Sequence, residues 1–81
     1  MQTEEIKVLL ESQIPTDHVQ VQIDGSHVNL LVVSSAFEGL SPVKQQQLVY
    51  SALSEQIASG TIHAVNMKTL TPAQWQQHLS Q

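Results

Sequence analysis

The spacing of apolar residues changes along the chain from helical to strand-like and back, which predicts an α+β domain. The first segment, from 3 to about 14, repeats apolar residues at helical spacing and is predicted to be a helix. Thr3 is its expected N-cap, and Pro15 is expected to end it. The apolar stripe consists of Ile6, Leu9, Leu10 and Ile14, with Val8 at its margin.

The next segment alternates apolar and polar residues, which predicts a strand with one solvent-facing side. It runs from His18 to Asp24, and residues 24–26 form a turn signal. A second strand, apolar nearly throughout, is predicted at 28–33. The two strands are expected to form a hairpin, with His27 near solvent where the turn enters the second strand.

The longest predicted helix follows a connecting loop at 34–40. Ser41 is its expected N-cap, Pro42 occupies its first position, and Gly60 ends it. Residues 44–47 include its solvent-facing side. The buried stripe is predicted to contain Val43, Leu48, Val49, Ala52, Leu53 and Ile57.

A third strand is predicted at about 62–69, with His63 at its start. Thr71 then opens a short last helix. Trp75 and Leu79 are expected to pack this helix against the rest of the domain. The element order is α-β-β-α-β-α, and the helix between the second and third strands favours their parallel pairing. The expected architecture is a single domain, 1–81, with a three-stranded mixed sheet and helices packed on one face.

Composition narrows the classes of function. The chain has no cysteine, so it offers no disulfide, no thiolate metal ligand and no cysteine nucleophile. Three lysines, no arginine and a formal net charge of −4 disfavour a surface for nucleic acid or an anionic membrane. The N-terminal residues carry acids where a signal peptide would carry bases, and no apolar run is long enough to cross a bilayer, so a cytoplasmic location is expected.

Four segments together resemble the BolA family, most closely its YrbA/IbaG-like subgroup, and the resemblance covers essentially the whole chain. The segments are Asp24-Gly25-Ser26-His27, Phe37-Glu38-Gly39-Leu40-Ser41, Val43-Lys44-Gln45-Gln46-Gln47-Leu48-Val49-Tyr50 and Ile62-His63-Ala64-Val65-Asn66-Met67-Lys68-Thr69-Leu70-Thr71-Pro72. No single segment is decisive, but their order and spacing make a joint signal.

The resemblance implies a KH-like fold of the second topology and a partnership with monothiol glutaredoxins around a shared, glutathione-ligated [2Fe–2S] cluster. It implies that His63 is a cluster ligand and that His27 corresponds to the family's second ligand. It further implies a part in iron–sulfur delivery, iron regulation or stress response and, for some members, DNA binding and transcriptional control. Alone, the chain is expected to be a monomer or a weak dimer.

Three alternatives compete with this interpretation. A KH-like nucleic-acid-binding regulator is disfavoured because many relatives carry a basic Arg-His-Arg type run where this chain reads 44–47, Lys-Gln-Gln-Gln. An enzyme is not expected: Asp24, Ser26 and His27 include the residue types of a hydrolytic triad, but adjacent Ser and His point apart and no oxyanion hole is suggested. In the third alternative, a protein-only interaction module, His27 and His63 would bind no metal.

His18 and His78 are predicted to be exposed polar positions without a role.

Overall fold

The hairpin predicted from the two-residue periodicity forms two thirds of a three-stranded sheet. In the computed structural model, which describes residues 2–80, β1 (His18–Asp24) pairs antiparallel with β2 (His27–Val33). The third strand, β3 (Ala64–Leu70), pairs parallel with β2, so the sheet order is β1-β2-β3. The predicted mixed sheet and its parallel crossover are therefore confirmed.

Helices occupy the positions between and around these strands. They are α1 (Thr3–Gln13), α2 (Pro42–Ala52), α3 (Ser54–Ala58) and α4 (Pro72–Leu79), with a 3₁₀ turn at Ser35–Phe37. The α-β-β-α-β-α order is confirmed once α2 and α3 are taken together as the long predicted helix. Among residues 2–80, no helix is both long enough and apolar enough to cross a membrane.

The hydrophobic core lies between one face of the sheet and the helices α1 and α2. Alternate residues of β2 point into it because successive strand side chains face opposite sides. The buried core residues are Ile6, Leu10, Ile14, Val19, Val28, Leu30, Val32, Phe37, Val49, Ala52, Leu53 and Ile62. The opposite side of the sheet, here called the open face, carries the exposed side chains of Gln20, Gln22, Asn29, Asn66 and Lys68.

The long helix was predicted as one piece, and this is wrong. Leu53 has non-helical angles (φ −109°, ψ 13°) and separates α2 from the short α3. Its side chain is fully buried, so the break lets the chain turn while Leu53 stays in the core. Ile57, beyond the break, is consequently 37% exposed instead of buried.

The buried stripe of α2 was also misplaced at its first turn. Val43 is 62% exposed, whereas Gln45, which was assigned to the solvent side, is buried. Gln45 is buried because its amide nitrogen donates to the carbonyl oxygens of Phe37 (3.3 Å) and Leu40 (2.9 Å). Its amide oxygen accepts from the Thr69 hydroxyl at 2.7 Å, which ties α2 to β3.

Smaller differences concern the ends of elements. The first helix begins at Thr3 with Gln2 as its N-cap, one residue earlier than predicted, a shift within the ordinary ambiguity of helix ends. The caps predicted for the later helices are confirmed, since the Ser41 and Thr71 hydroxyls accept from the backbone N–H groups of Lys44 and Gln74. Leu79 is 58% exposed and does not dock α4 as expected.

Candidate functional site

The first residues of β2 and β3 meet at one end of the sheet, here called the open end: the β1–β2 turn, residues 24–27, and the loop 59–63. Because the two strands are parallel, residues at their starts lie side by side, and His27 pairs with Ala64 in the register. The backbone N–H groups of His63 and Ala64 both donate to the Ser26 carbonyl oxygen, at 3.0 and 3.5 Å. The backbone of His63, just before β3, is therefore held beside the start of β2, which carries His27, at the same end of the molecule.

The third strand predicted from the sequence starts at about 62 and includes His63. In the structure, β3 starts at Ala64, so His63 lies just before the strand. The β2–β3 ladder does not extend to His63. The backbone N–H groups of His63 and Ala64 both donate to the Ser26 carbonyl oxygen, so the regular hydrogen-bond register ends there. Ile62 is 2% exposed and its N–H donates to the Gln56 carbonyl oxygen at 3.1 Å, which fixes the loop against the core. With Ile62 anchored inward, the neighbouring His63 side chain is exposed.

Gly60 shapes the approach to the His63 ring. Its φ is +81°, a left-handed conformation that L side chains rarely adopt, and its N–H donates to the Ile57 carbonyl oxygen at 3.2 Å as α3 ends. A methyl group at this position would lie 3.7 Å from Nε2 of His63. The absence of a side chain here keeps one side of the imidazole open, and the predicted helix stop is confirmed.

The imidazoles of His27 and His63 are both exposed, and within residues 2–80 neither makes a hydrogen bond to another residue. Their ring nitrogens thus remain available to a ligand or partner. In the same described part of the chain, no group of three or more His, Asp or Glu side chains is arranged to hold a metal ion. The open end can contribute to a metal site, but it cannot complete one alone.

The other two histidines lie at the opposite end of the sheet, here called the closed end, where β1 begins and β2 and β3 finish. The His18 ring stacks on Trp75 with centroids 4.7 Å apart, and His78 stacks on the same indole at 5.5 Å. His18 is half-buried and its Nε2 is buried without a hydrogen-bond partner, so the prediction of an exposed polar position is wrong for His18. It is confirmed for His78, which is exposed, and Trp75 is confirmed as the anchor of α4.

Polar side chains hold the closed end together. The buried Ser34 hydroxyl donates to the Pro15 carbonyl oxygen and accepts from the Ala36 N–H at 3.0 Å, while its own N–H donates to the Leu70 carbonyl oxygen at 3.0 Å. These contacts join the segments around β1, β2 and β3. Serine in a predicted loop gave no sign of this role, because loop serines are usually exposed.

The three lysines lie on three different elements. Lys7 is on α1, Lys44 on α2 and Lys68 on β3, and the last two are exposed. Lys68 is a solvent-exposed lysine on the open face of β3. Around the turn, Asp24 and His27 occupy paired positions of the hairpin. With three lysines on three different elements and no arginine, the chain has few groups for contact with phosphates.

Comparison with known proteins agrees with this architecture. A family model described as "BolA-like protein" matches residues 1–74. The chain is 44% identical over 75 residues to the acid stress protein IbaG of Escherichia coli K12, covering 93% of this chain and 89% of that one. It is 35% identical over 77 residues to an uncharacterised protein of Acinetobacter guillouiae, with 95% and 93% of the two chains covered.

Solved structures show the same fold. A Bol-like protein from Babesia bovis superposes with a TM-score of 0.86 at 29% identity, covering 98% of this chain and 94% of the other. A BolA homologue from Coxiella burnetii gives a TM-score of 0.82 at 32% identity, with 94% and 97% covered. Yeast Fra2 gives 0.74 at 28% identity, with 93% and 84% covered. The chain therefore belongs to the BolA family.

Proposed function

We propose that this chain acts in the cytoplasm as the partner of a monothiol glutaredoxin and contributes His63 to a shared, glutathione-ligated [2Fe–2S] cluster. The observation that carries the proposal is the exposed imidazole of His63, held at the open end by a fixed backbone and free of hydrogen bonds within residues 2–80. The proposed role is non-enzymatic: the chain supplies a ligand and a surface, and iron–sulfur trafficking or iron and stress regulation is the outcome.

The donor set fits such a divided site. The chain has no cysteine, so thiolate ligands must come from the partner and from glutathione. Neutral imidazole is a good ligand for iron, and exchange of thiolate for histidine on one iron raises the reduction potential of a [2Fe–2S] centre. When bound, the cluster supplies the redox and transfer chemistry. This chain would bind the cluster through a ring nitrogen of His63.

His27 is proposed as the second ligand of this chain. The shared Ser26 carbonyl oxygen, which accepts from the His63 N–H at 3.0 Å, fixes the turn beside the loop that carries His63. His27 is exposed and immediately follows Ser26, so it lies at the same end of the sheet as His63. If both histidines bind iron, the partner has fewer iron ligands to supply than it would if this chain contributed a single histidine.

The test is reconstitution of the cluster with a monothiol glutaredoxin and glutathione. The mixed complex should give a visible circular dichroism spectrum that differs from that of the glutaredoxin homodimer. His63→Ala should return the spectrum toward that of the homodimer, and His27→Ala should give a smaller change. His78→Ala is the matched control, because it removes an exposed histidine at the closed end. An unchanged spectrum with His63→Ala would reject the ligand assignment.

Acid should oppose the proposed ligation, because a protonated imidazole has no lone pair left for iron. The cluster absorbance of the mixed complex should therefore fall between neutral pH and about pH 5, a range that spans the reference histidine pKa. The glutaredoxin homodimer is the control for acid sensitivity of the remaining ligands. Equal acid sensitivity of the two complexes would count against imidazole ligation.

Nucleic-acid regulation is the competing function, and the dispersed lysines give it no support. Its discriminating experiment is titration with duplex DNA at increasing salt, since a phosphate-dependent interaction weakens steeply with ionic strength. Salt-sensitive binding that is lost in Lys44→Glu would favour the regulator over the cluster partner.

A further inference from the structure

The outer edge of β1 carries few of the features that usually protect an edge strand. β1 is at the end of the β1-β2-β3 order and pairs with β2 in unbroken register from His18↔Val33 to Asp24↔His27. Edge strands are commonly blunted by proline, lysine, a bulge or short length, because their unpaired backbone groups invite another strand. The sequence HVQVQID of β1 has no proline and no lysine, and its seven residues are longer than the most common strand.

The turn geometry shows which backbone groups face outward. Gly25 has φ 63°, and Ser26 does not have a positive φ, which matches the type II′ turn of a two-residue hairpin. In such a hairpin the flanking residues, Asp24 and His27, form a hydrogen-bonded pair. Because these pairs alternate, the N–H and C=O groups of the odd-numbered residues in 19–23 point away from β2. Within residues 2–80, no backbone group of another element bonds to them.

The residues of β1 are self-complementary about Val21. An antiparallel second copy centred there pairs His18 with Asp24, Val19 with Ile23, Gln20 with Gln22, and Val21 with itself. Acid therefore meets histidine at both ends, apolar side chains meet on the core side, and amides meet on the open face. Opposite-charge and apolar cross-strand pairs stabilise such ladders, whereas like charges destabilise them.

Two further observations favour a second copy as the occupant. His18 has its Nε2 buried against the protein, which leaves Nδ1 as the nitrogen that a neighbouring carboxylate can reach. Lys7, Glu11 and Asp17 line a cleft of about 170 Å³ at the start of the same edge. The basic Lys7 side chain offsets one of the two acidic side chains that a second copy would meet there.

We propose that two copies of the chain associate through the outer edges of β1, antiparallel and with Val21 on the twofold axis. The result is one continuous sheet, three strands from each copy. This contact pairs residues of β1 only, whereas His27 lies on β2 and His63 lies in the loop before β3, so neither histidine is paired by it. Self-association and cluster ligation can therefore be tested separately.

Sedimentation velocity over a range of concentrations tests the proposal. The natural chain should move from monomer to dimer as concentration rises. Gln20→Lys combined with Gln22→Lys places lysine opposite lysine at two symmetric positions and should weaken association about tenfold. Both side chains are exposed, so the monomer fold should be retained, as thermal unfolding would verify.

Matched variants separate the edge from a general effect of charge. Gln46→Lys combined with Gln47→Lys makes the same charge change at exposed positions of α2 and should leave association unchanged. Gln20→Lys combined with Gln22→Glu places opposite charges across the axis and should restore association at least to its natural strength. The amides of Val19, Val21 and Ile23 should also exchange more slowly as concentration rises.

Any of three results would overturn the proposal. The first is a chain that stays monomeric at concentrations up to about 1 mM, the range of weak complexes. The second is a dimer that is indifferent to the lysine pair at 20 and 22 or equally sensitive to the pair at 46 and 47. The third is failure of the opposite-charge pair to restore association in a variant that is folded.

Discussion

The two ends of the sheet carry the same kind of side chain in opposite surroundings. At the closed end, His18 is half-buried and stacked on Trp75 at 4.7 Å, and it forms part of the packing. At the open end, His27 and His63 are exposed and make no hydrogen bond within residues 2–80. The comparison teaches that burial and neighbours, more than residue type, distinguish a histidine that supports the fold from one available for chemistry.

The backbone explains why the ends differ. At the closed end, Ser34 and Gln45 use side-chain hydrogen bonds to join segments that are distant in sequence. At the open end, the backbone N–H groups of His63 and Ala64 meet the Ser26 carbonyl oxygen, so the side chains are not needed for connection. Substitutions should therefore lower stability at the closed end and alter ligation at the open end.

The largest effect is expected for Gln45→Ala. The change leaves the carbonyl oxygens of Phe37 and Leu40 and the Thr69 hydroxyl without their partner. The free energy of unfolding should fall by about 3 kcal/mol, since each buried unsatisfied polar group costs roughly 1–3 kcal/mol. Urea denaturation measures this. Gln46→Ala is the control, and an equal loss for both variants would remove Gln45 as a support of the closed end.

Trp75→Ala should have the next largest effect, a loss of about 2 kcal/mol in the free energy of unfolding. The indole is half-buried and loses its stacking with His18 and His78. Leu79→Ala is the control on the same helix, because this leucine is 58% exposed. If the leucine variant were the less stable of the two, α4 would not be docked through its tryptophan.

His63→Ala should increase the rate at which the mixed glutaredoxin complex loses its cluster by about tenfold, a typical scale for disturbed metal sites. The physical reason is the loss of an iron ligand with no nearby replacement. The decay of visible absorbance in the presence of a chelator measures the rate. His78→Ala should leave it unchanged, and equal rates for both variants would contradict the contrast between the two ends.

His18→Phe should raise the free energy of unfolding by about 1 kcal/mol, because it keeps a ring beside Trp75 and removes a buried nitrogen that has no partner. Thermal unfolding would measure the gain. His78→Phe, at an exposed position, should change stability less. A large loss of stability in the first variant would mean that the His18 nitrogen itself contributes to the packing.

The smallest effect is expected for His27→Ala and His63→Ala on the stability of the chain alone. Both side chains are exposed, and such substitutions usually change the free energy of unfolding by no more than about 0.5 kcal/mol. Urea denaturation of the two variants checks this. A loss above about 1.5 kcal/mol, the scale of a buried contact, would show that the open end also supports the fold.

Local pattern predicted most of the fold. The alternation in β1, the turn around Gly25 and the caps at Ser41 and Thr71 depend on neighbours in sequence, and all are confirmed. The predicted parallel pairing of the second and third strands, which places the start of β3 beside His27, is also confirmed. The role of His63 as a ligand remains a prediction.

What the pattern missed depends on distant partners. Gln45 looks like any other glutamine of its run, and only the free carbonyl oxygens of the preceding loop draw it inward. His18 opens a strand and would face solvent if α4, more than fifty residues later, did not bring Trp75 against it. The break at Leu53 likewise comes from core packing, since the sequence there contains neither glycine nor proline.

Pulsed electron paramagnetic resonance on the reduced mixed complex, prepared with only this chain labelled with ¹⁵N, tests the central claim most directly. Ligation by His63 predicts a strong nitrogen coupling that changes with the isotope in this chain, loses its His63 component in His63→Ala and is unchanged in His78→Ala. A spectrum with no coupling from the labelled chain, or one unaffected by His63→Ala, would contradict the claim that this imidazole binds the iron.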